Sequence, residues 1–310
     1  MRLLTDLISE LERLQRAFEE KALEFNEVLK MGRTHIQDAV PVRLGQEFKA
    51  YSLVVSRDII KLKAAYQCLC SVNLGGTAIG TGLNAAREYF VNVVPILAEI
   101  SNLPLRQADD LIDSTQNLDC FVSVSSSLRN CAVDLSKIAN DLRLMSSGPR
   151  CGFHEINLPA KQSGSSIMPG KVNPVIPEVI NQVAFNIVGN DVTIAMAVEA
   201  GQLELNAFEP VIFYNLFSSI REFTGAVSTF IDNCVTGITA NVEHCRDMAE
   251  NSVGIITPLV AHFGYERAEL LAKRVISSGK SVRALLMEDG FFTSEQIDRM
   301  LDSYAMTERE

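Results

Sequence analysis

Leu3-Leu-Thr-Asp-Leu-Ile-Ser-Glu-Leu-Glu-Arg-Leu-Gln-Arg-Ala-Phe-Glu-Glu-Lys-Ala-Leu-Glu-Phe-Asn-Glu-Val28 is the stretch that decides the class of fold. Its apolar side chains fall at Leu3, Leu4, Leu7, Leu11, Leu14, Phe18, Ala22, Phe25 and Val28, mostly in steps of three and four, which gathers them on one stripe of an α-helix. Glu10, Glu12, Arg13, Arg16, Glu19, Glu20 and Lys21 fall on the remaining faces and read as a solvated surface. A stripe of this length, uninterrupted by Gly or Pro, belongs to a long helix of a bundle.

Outward from that helix, Gly32 to Pro41 breaks the pattern, and a second long helix is expected from about Leu44 to Ser71. Gly75 to Asn84 reads as a glycine-rich turn; its Gly80-Thr-Gly82 lacks both the preceding strand and the full spacing of a dinucleotide fingerprint. Further helices are expected at about 86–102, 108–146, 174–200 and 207–235, with a polar loop from Gly148 to Asn173 between the second and third of these. After Gly237-Ile-Thr-Ala-Asn241 the segments shorten, with breaks at Pro258, Gly264, Gly279 and Gly290. The expected fold is all-α: a long central helical bundle over 1–241 and a small helical C-terminal domain over 242–310. Apolar residues such as Ile180, Val183, Ala184, Ile187 and Val188, crowded into one helix, exceed what one helix pair covers and favour a homo-oligomer.

Composition excludes several classes. With 310 residues, of which 47% are hydrophobic, the chain can bury a large core. Its net charge of -10 repels polyanions, so no nucleic-acid partner is expected, and any anionic substrate must be held by a few local cations and donors. No apolar run is long enough to span a bilayer, so no membrane partner is expected, and the first residues lack a signal peptide's apolar region. Seven cysteines cannot all pair, and their apolar neighbours favour reduced thiols in the cytoplasm. No Cys/His spacing suggests a metal site.

Chemistry concentrates in Ser163-Gly-Ser-Ser-Ile-Met-Pro-Gly-Lys-Val-Asn-Pro174. Two glycines flank a Ser-Ser pair, a lysine follows, and Asn-Pro leads into a helix that must begin between Asn173 and Pro177, because proline is tolerated only in a first turn. Lys171 supplies a point charge, Asn173 amide donors, and the helix start unpaired N–H groups, so the loop is suited to close over an anion. Generic Ser/Gly/Lys loops are more often plain capping loops; here the order of residues decides.

Gly-Ser-Ser-Ile-Met-Pro-Gly-Lys-Val-Asn-Pro resembles the signature of the aspartase/fumarase superfamily of lyases. Lys30-Met-Gly-Arg-Thr-His-Ile-Gln-Asp-Ala-Val-Pro41, Gly75–Asn84, Asn140–Pro149 and Gly189-Asn-Asp191 are similar to further family strings, in the family's order and over nearly the whole chain. The resemblance implies anti elimination through an aci-carboxylate, with Ser165 as general base and Ser166, Lys171 and Asn173 binding substrate carboxylate. It also implies that Thr34 and His35 contact the other carboxylate or the leaving group, and that Glu178 pairs with His35. A small dicarboxylate substrate, no cofactor (divalent-cation activation being left open), and a homotetramer with shared active sites follow from the same resemblance. His154, His244 and His262 have no motif support.

Glu199-Ala-Gly-Gln-Leu-Glu-Leu-Asn206 and Gly237–Asn241 lean towards the aspartase branch, which implies L-aspartate to fumarate plus ammonia, with fumarate hydration as the alternative. Family members begin with a sizeable N-terminal domain that supplies a third active-site segment. The first residues here match the first bundle helix instead, so the expectation is a truncated chain lacking that domain, with an inactive oligomeric scaffold as a second alternative.

Overall fold

The computed structural model describes residues 1–162, 167–168 and 170–308. In chain order the elements are α1 (Arg2–Glu24), β1 (Leu29–Thr34), β2 (Gln37–Arg43), α2 (Leu44–Cys68), β3 (Ser71–Val72), α3 (Arg87–Ser101), β4 (Arg106–Gln107), α4 (Asp113–Gln116) and α5 (Asp119–Met145). They continue with β5 (Ile156–Asn157), α6 (Val175–Glu199), α7 (Glu209–Asn233), β6 (Thr239–Ala240), α8 (Val242–Asn251), α9 (Val260–Phe263), α10 (Tyr265–Ser278), α11 (Val282–Asp289) and α12 (Ser294–Met300). A 3-10 turn spans Val253–Leu259. The helical class expected from the periodicity is what the chain adopts, and the long helices end within a few residues of their expected limits.

Two expectations are corrected. Residues 108–146 do not form one helix: β4, the four-residue α4 and an extended Asn117 precede α5, which begins only at Asp119. Asp110 stops the helix from propagating backwards, because its carboxylate accepts from the backbone N–H groups of Ile112 and Asp113 and so starts a separate short turn. The Gly32–Pro41 break, for which no strand was expected, is most of an antiparallel hairpin, β1 against β2, with Leu29 opposite Arg43 and Thr34 opposite Gln37.

The chain divides into two compact units. The first comprises Met1–Arg16, Ser52–Asp141 and Ala160–Cys234. Its core uses the stripe read from the sequence, since Leu4, Leu7, Leu11 and Leu14 are all fully buried. The helices α6 and α7 pack antiparallel: Asn186 Nδ2 donates to Glu222 Oε2 at 2.8 Å and Asn190 Nδ2 to Ser219 Oγ at 3.0 Å, so residue numbers rise along one helix as they fall along the other. Ile180, Ala184, Ile187 and Ile194 line the buried side of α6, facing the period of Ile212, Leu216, Phe223 and Phe230 on α7. Ile180, Ala184 and Ile187 therefore pack within the unit rather than against another copy.

In the same unit the glycine-rich turn is structural. Gly80 has φ +96°, and a Cβ there would stand 2.3 Å from the backbone N of Ile112, so only glycine lets the two segments approach. Asp191, on α6, is buried and accepts from Ser125 Oγ at 2.6 Å and Arg129 Nη1 at 2.8 Å.

The second unit comprises Ala17–Tyr51, Leu142–Pro159 and Val235–Glu310. Phe18, Phe25, Phe48 and Tyr51 form an edge-to-face aromatic cluster with centroids 5.2–6.2 Å apart. β5 pairs with β6, Ile156 opposite Ala240. A separate small core of Ile255, Ile256, Leu259, Leu271, Leu285, Leu286 and Ile297 holds the C-terminal helices, the last of which, α12, starts on a capping box of Thr293 and Gln296.

Asp58, on α2, is 1% exposed and accepts from Lys61 Nζ at 2.8 Å. Burial raises its pKa above the ordinary carboxylate value; Lys61 opposes that and the neighbouring Asp134 adds to it. The native state thus binds this proton more tightly than the unfolded chain does. Its contribution to stability is present below the unfolded value of 3.8 and is lost as pH rises through the raised folded value. Asp58→Asn is therefore expected to gain Tm relative to the parent as pH is raised from about 4 to 7; calorimetry across that range checks it, and a constant difference contradicts it.

Candidate active site

Thr34 and His35 stand at the tip of the β1–β2 hairpin in the second unit. The connection is only two residues long, His35 and Ile36, and both have positive φ, +55° and +62°. That is what the right-handed twist of a hairpin requires of a two-residue turn, but such turns ordinarily carry Asn and Gly. An imidazole and a β-branched side chain in the left-handed region cost about 1–2 kcal/mol each. No burial offsets this, because Thr34 and His35 are exposed and Ile36 is 64% exposed. The strain is carried by the strands and by what anchors them.

The anchor is a buried cluster of charge. Lys30, 3% exposed, stands between Glu47 Oε2 and Glu155 Oε2, 2.9 Å from each. Arg33 Nη1 donates to the other oxygen of Glu155 at 2.6 Å, and its guanidinium lies over the Phe153 ring at 4.1 Å. Desolvation pulls the Lys30 pKa down, but Glu47 and Glu155 outweigh it and leave the ammonium above its ordinary value. Removing one member of such a buried set strands the others, at about 3–5 kcal/mol. Further along, Ser252 Oγ donates to Asp38 Oδ2 at 2.6 Å and receives the Gly254 N–H. Gly254 lies so close to the hairpin that a Cβ would meet Ala39 O at 2.7 Å.

The other half of the expected site belongs to the first unit. Ser165 and Ser166 lie outside the described residues. Lys171 is exposed and forms no ion pair with a described residue; Asn173 is half-buried, and its carbonyl accepts from Val175 N at 2.9 Å. The helix α6 begins at Val175 with Pro174 as its N-cap residue and Pro177 in its first turn, inside the window set by the two prolines. Glu178 sits in that first turn, where a carboxylate complements the helix dipole, and is half-buried. So Thr34 and His35 are brought together in one unit, and Lys171, Asn173 and Glu178 in the other.

Sequence reasoning missed Lys30, Glu47 and Glu155 as a set, since they come from three separate segments. One signal was available: Lys30 lies between Leu29 and Met31 in an otherwise apolar strand start, where a lysine needs a partner. The other family-like strings prove structural. Asn206 Nδ2 donates to the carbonyls of Ala197 and Val198 and so closes the end of α6. Asn241 donates from its backbone to Glu155 O at 2.9 Å and from its side chain to His154 O at 2.8 Å, which fixes the segment that carries Glu155. Among the described residues no group of three or more His, Cys, Asp or Glu is placed to hold a metal ion. No described helix is long and apolar enough to cross a membrane.

The chain thus presents long helices with a strained His-bearing turn in one unit and a Lys/Asn segment at a helix start in the other, and comparison with known proteins makes the class specific. Residues 1–189 match the family described as Lyase, and residues 255–308 the one described as Fumarase C C-terminus. Aspartate ammonia-lyase of Bacillus subtilis (strain 168) is 53% identical over 307 residues, 99% of this chain and 65% of that one. Aspartate ammonia-lyase of Escherichia coli (strain K12) is 48% identical, over 95% of this chain and 62% of that one. The crystal structure of fumarate lyase:delta crystallin from Brucella melitensis bound to cobalt superposes with a TM-score of 0.95 at 47% identity, covering 99% of this chain and 66% of that one. Recombinant class II fumarase from Schistosoma mansoni gives 0.93 at 31% identity, covering 98% and 67%. The chain belongs to the aspartase/fumarase superfamily, with aspartase-like sequence. It spans about two thirds of the length of the curated relatives it matches.

Ile36→Gly removes a β-branched residue from a left-handed position while surrendering little burial. It is expected to stabilise the protein by about 1 kcal/mol, read as a higher urea midpoint at unchanged m. A lower midpoint would show that the turn is not strained.

Proposed function

We propose that this chain carries the catalytic bundle of an aspartate ammonia-lyase, which converts L-aspartate to fumarate and ammonia. The observation that carries this reading is the 53% identity to the Bacillus subtilis enzyme, sustained over 99% of the chain. That level of identity supports reading the site segments of this chain by the same chemistry.

In the proposed reaction Ser165 takes a proton from the carbon beside one carboxylate. The electron pair left behind moves into that carboxylate, giving an aci-carboxylate with two negative charges. The pair then returns to form the carbon–carbon double bond as the carbon–nitrogen bond breaks and ammonia leaves. The difficult species is the dianion, so donors aimed at it are the largest catalytic contribution, roughly 3–4 kcal/mol each. A serine base needs its pKa depressed by N–H groups and nearby positive charge, which Lys171 is suited to provide. Lys171, Asn173 and Ser166 bind substrate carboxylate, Thr34 and His35 engage the other end, and Glu178 fixes one tautomer of the His35 ring by pairing with it.

The active assembly we propose is a homotetramer that works in the cytoplasm, with each site built from several copies. Support comes from the side of α6 opposite its buried stripe, where Phe185, Val192 and Met196 are 68%, 60% and 60% exposed, and from Tyr214 on α7 at 73%. Apolar faces of this extent on long helices favour burial against like faces. Residues 1–241 act as the bundle domain and 242–310 as the C-terminal domain. No organic cofactor is required by this chemistry, and the cobalt in the Brucella relative makes divalent-cation activation worth measuring with and without chelator.

Fumarate absorbance after adding L-aspartate, and separately L-malate, tests the reading. Turnover of aspartate alone supports it; turnover of malate alone shifts the chain to the fumarase branch; silence from both at a tetrameric mass leaves a scaffold. Ser165→Ala is expected to abolish turnover with helicity intact, and near-normal kcat would remove Ser165 as base. Lys171→Ala is expected to raise KM steeply, because a bound carboxylate loses its counter-charge.

A further inference from the structure

The carboxylate of Glu155 is fully buried, on a segment to which neither the family signature loop nor the proposed chemistry assigns a task. Its two oxygens face two cations of a single strand, Lys30 at 2.9 Å and Arg33 at 2.6 Å. The two cations are three residues apart in β1, and beside them the β1–β2 register shifts, β2 carrying one extra residue between Pro41 and Asp38 opposite Met31 and Arg33. Immediately beyond the second cation come Thr34 and the left-handed His35–Ile36 turn.

We propose that Glu155 is a positioning residue: by gripping both Lys30 and Arg33 of β1, it fixes the direction in which the Thr34–His35 turn leaves the hairpin. Its place in catalysis rests on the proposed role of that turn in binding substrate; the mechanical part does not. The segment that carries Glu155 is itself held. Glu155 N donates to Met145 O at 2.8 Å, Asn241 N donates to Glu155 O at 2.9 Å, and the buried Cys245 thiol lies 3.5 Å from the same carbonyl. Arg33 is further confined by the Phe153 ring beneath it, so neither end of the grip is free to drift. Among the described residues the side chains of the turn make no hydrogen bond or ion pair, which leaves the grip as the feature that transmits order to it.

Glu155→Gln in the full chain keeps shape and removes charge. The expected result is amide exchange at residues 34–38 at least about 10-fold faster, protection unchanged in α10 and α11, and a KM for L-aspartate raised about 10- to 100-fold. A purely structural role predicts a different pattern: faster exchange throughout the unit, and a lower kcat from fewer folded molecules at unchanged KM. That pattern, or unaltered exchange at 34–38, overturns the proposal. Glu47→Gln, which removes the other partner of Lys30 and leaves Arg33 gripped, is expected to change exchange at the turn less than Glu155→Gln does. If Glu155→Gln does not fold, Arg33→Lys, which keeps the charge but loses the planar fork, is expected to give the same local exchange and KM changes in smaller degree. Should the parent chain turn over neither substrate, the lyase reading fails while the exchange pattern still decides whether the grip exists.

Discussion

A carboxylate buried in its charged form needs cations beside it. That constraint shapes the second unit. Glu155 is buried on a segment pinned by β5–β6 pairing and by Asn241, and Lys30 and Arg33, both on β1, are the cations that meet it. The hairpin then has a defined twist, and a turn of two left-handed non-glycine residues persists at its tip although neither residue favours that conformation. Sequence, local geometry and exposed chemistry meet at one salt-bridged base.

The long helices were legible because their signal is local. A period of three to four over 23 to 27 residues survives small errors at the ends, and Leu4, Leu7, Leu11, Leu14, Phe18 and Ala22 of the apolar stripe are buried in α1; Ile8 and Ala17 join them, and so does Lys21, which was expected on the solvated surface but donates to Ile238 O and Glu24. The hairpin was not legible. Its tip is His-Ile rather than Asn-Gly, and its strands carry Lys30, Arg33, Gln37 and Asp38, so neither turn chemistry nor alternation marks it. The start of α5 was misplaced because apolar spacing around Leu111 and Leu118 mimics a helix that Asp110 and the extended Asn117 interrupt. The apolar crowding on α6 was correctly noticed but belongs to two faces: one packs on α7, and the other, bearing Phe185, Val192 and Met196, is exposed.

The candidate site was legible as residue types and not as a place. Lys171 and Asn173 stand where the prolines require, at the start of α6, and Thr34 and His35 share a turn. In the proposed assembly what joins the two groups is long-range, which no local pattern records. Charge divides the roles of the cations: Lys30 and Arg33 are committed to Glu155, whereas Lys171 is exposed and forms no ion pair with a described residue, which suits it to the substrate carboxylate in the proposed reaction.

The central claim is that the hairpin tip and the signature loop converge on one dicarboxylate. A crystal structure of the assembled protein with a bound, unreactive dicarboxylate such as succinate tests it most directly. The account predicts Thr34 and His35 at one carboxylate and Lys171 and Asn173 at the other, contributed by different copies. Finding the two groups tens of ångströms apart in every copy, with the ligand touching only one of them, would contradict it.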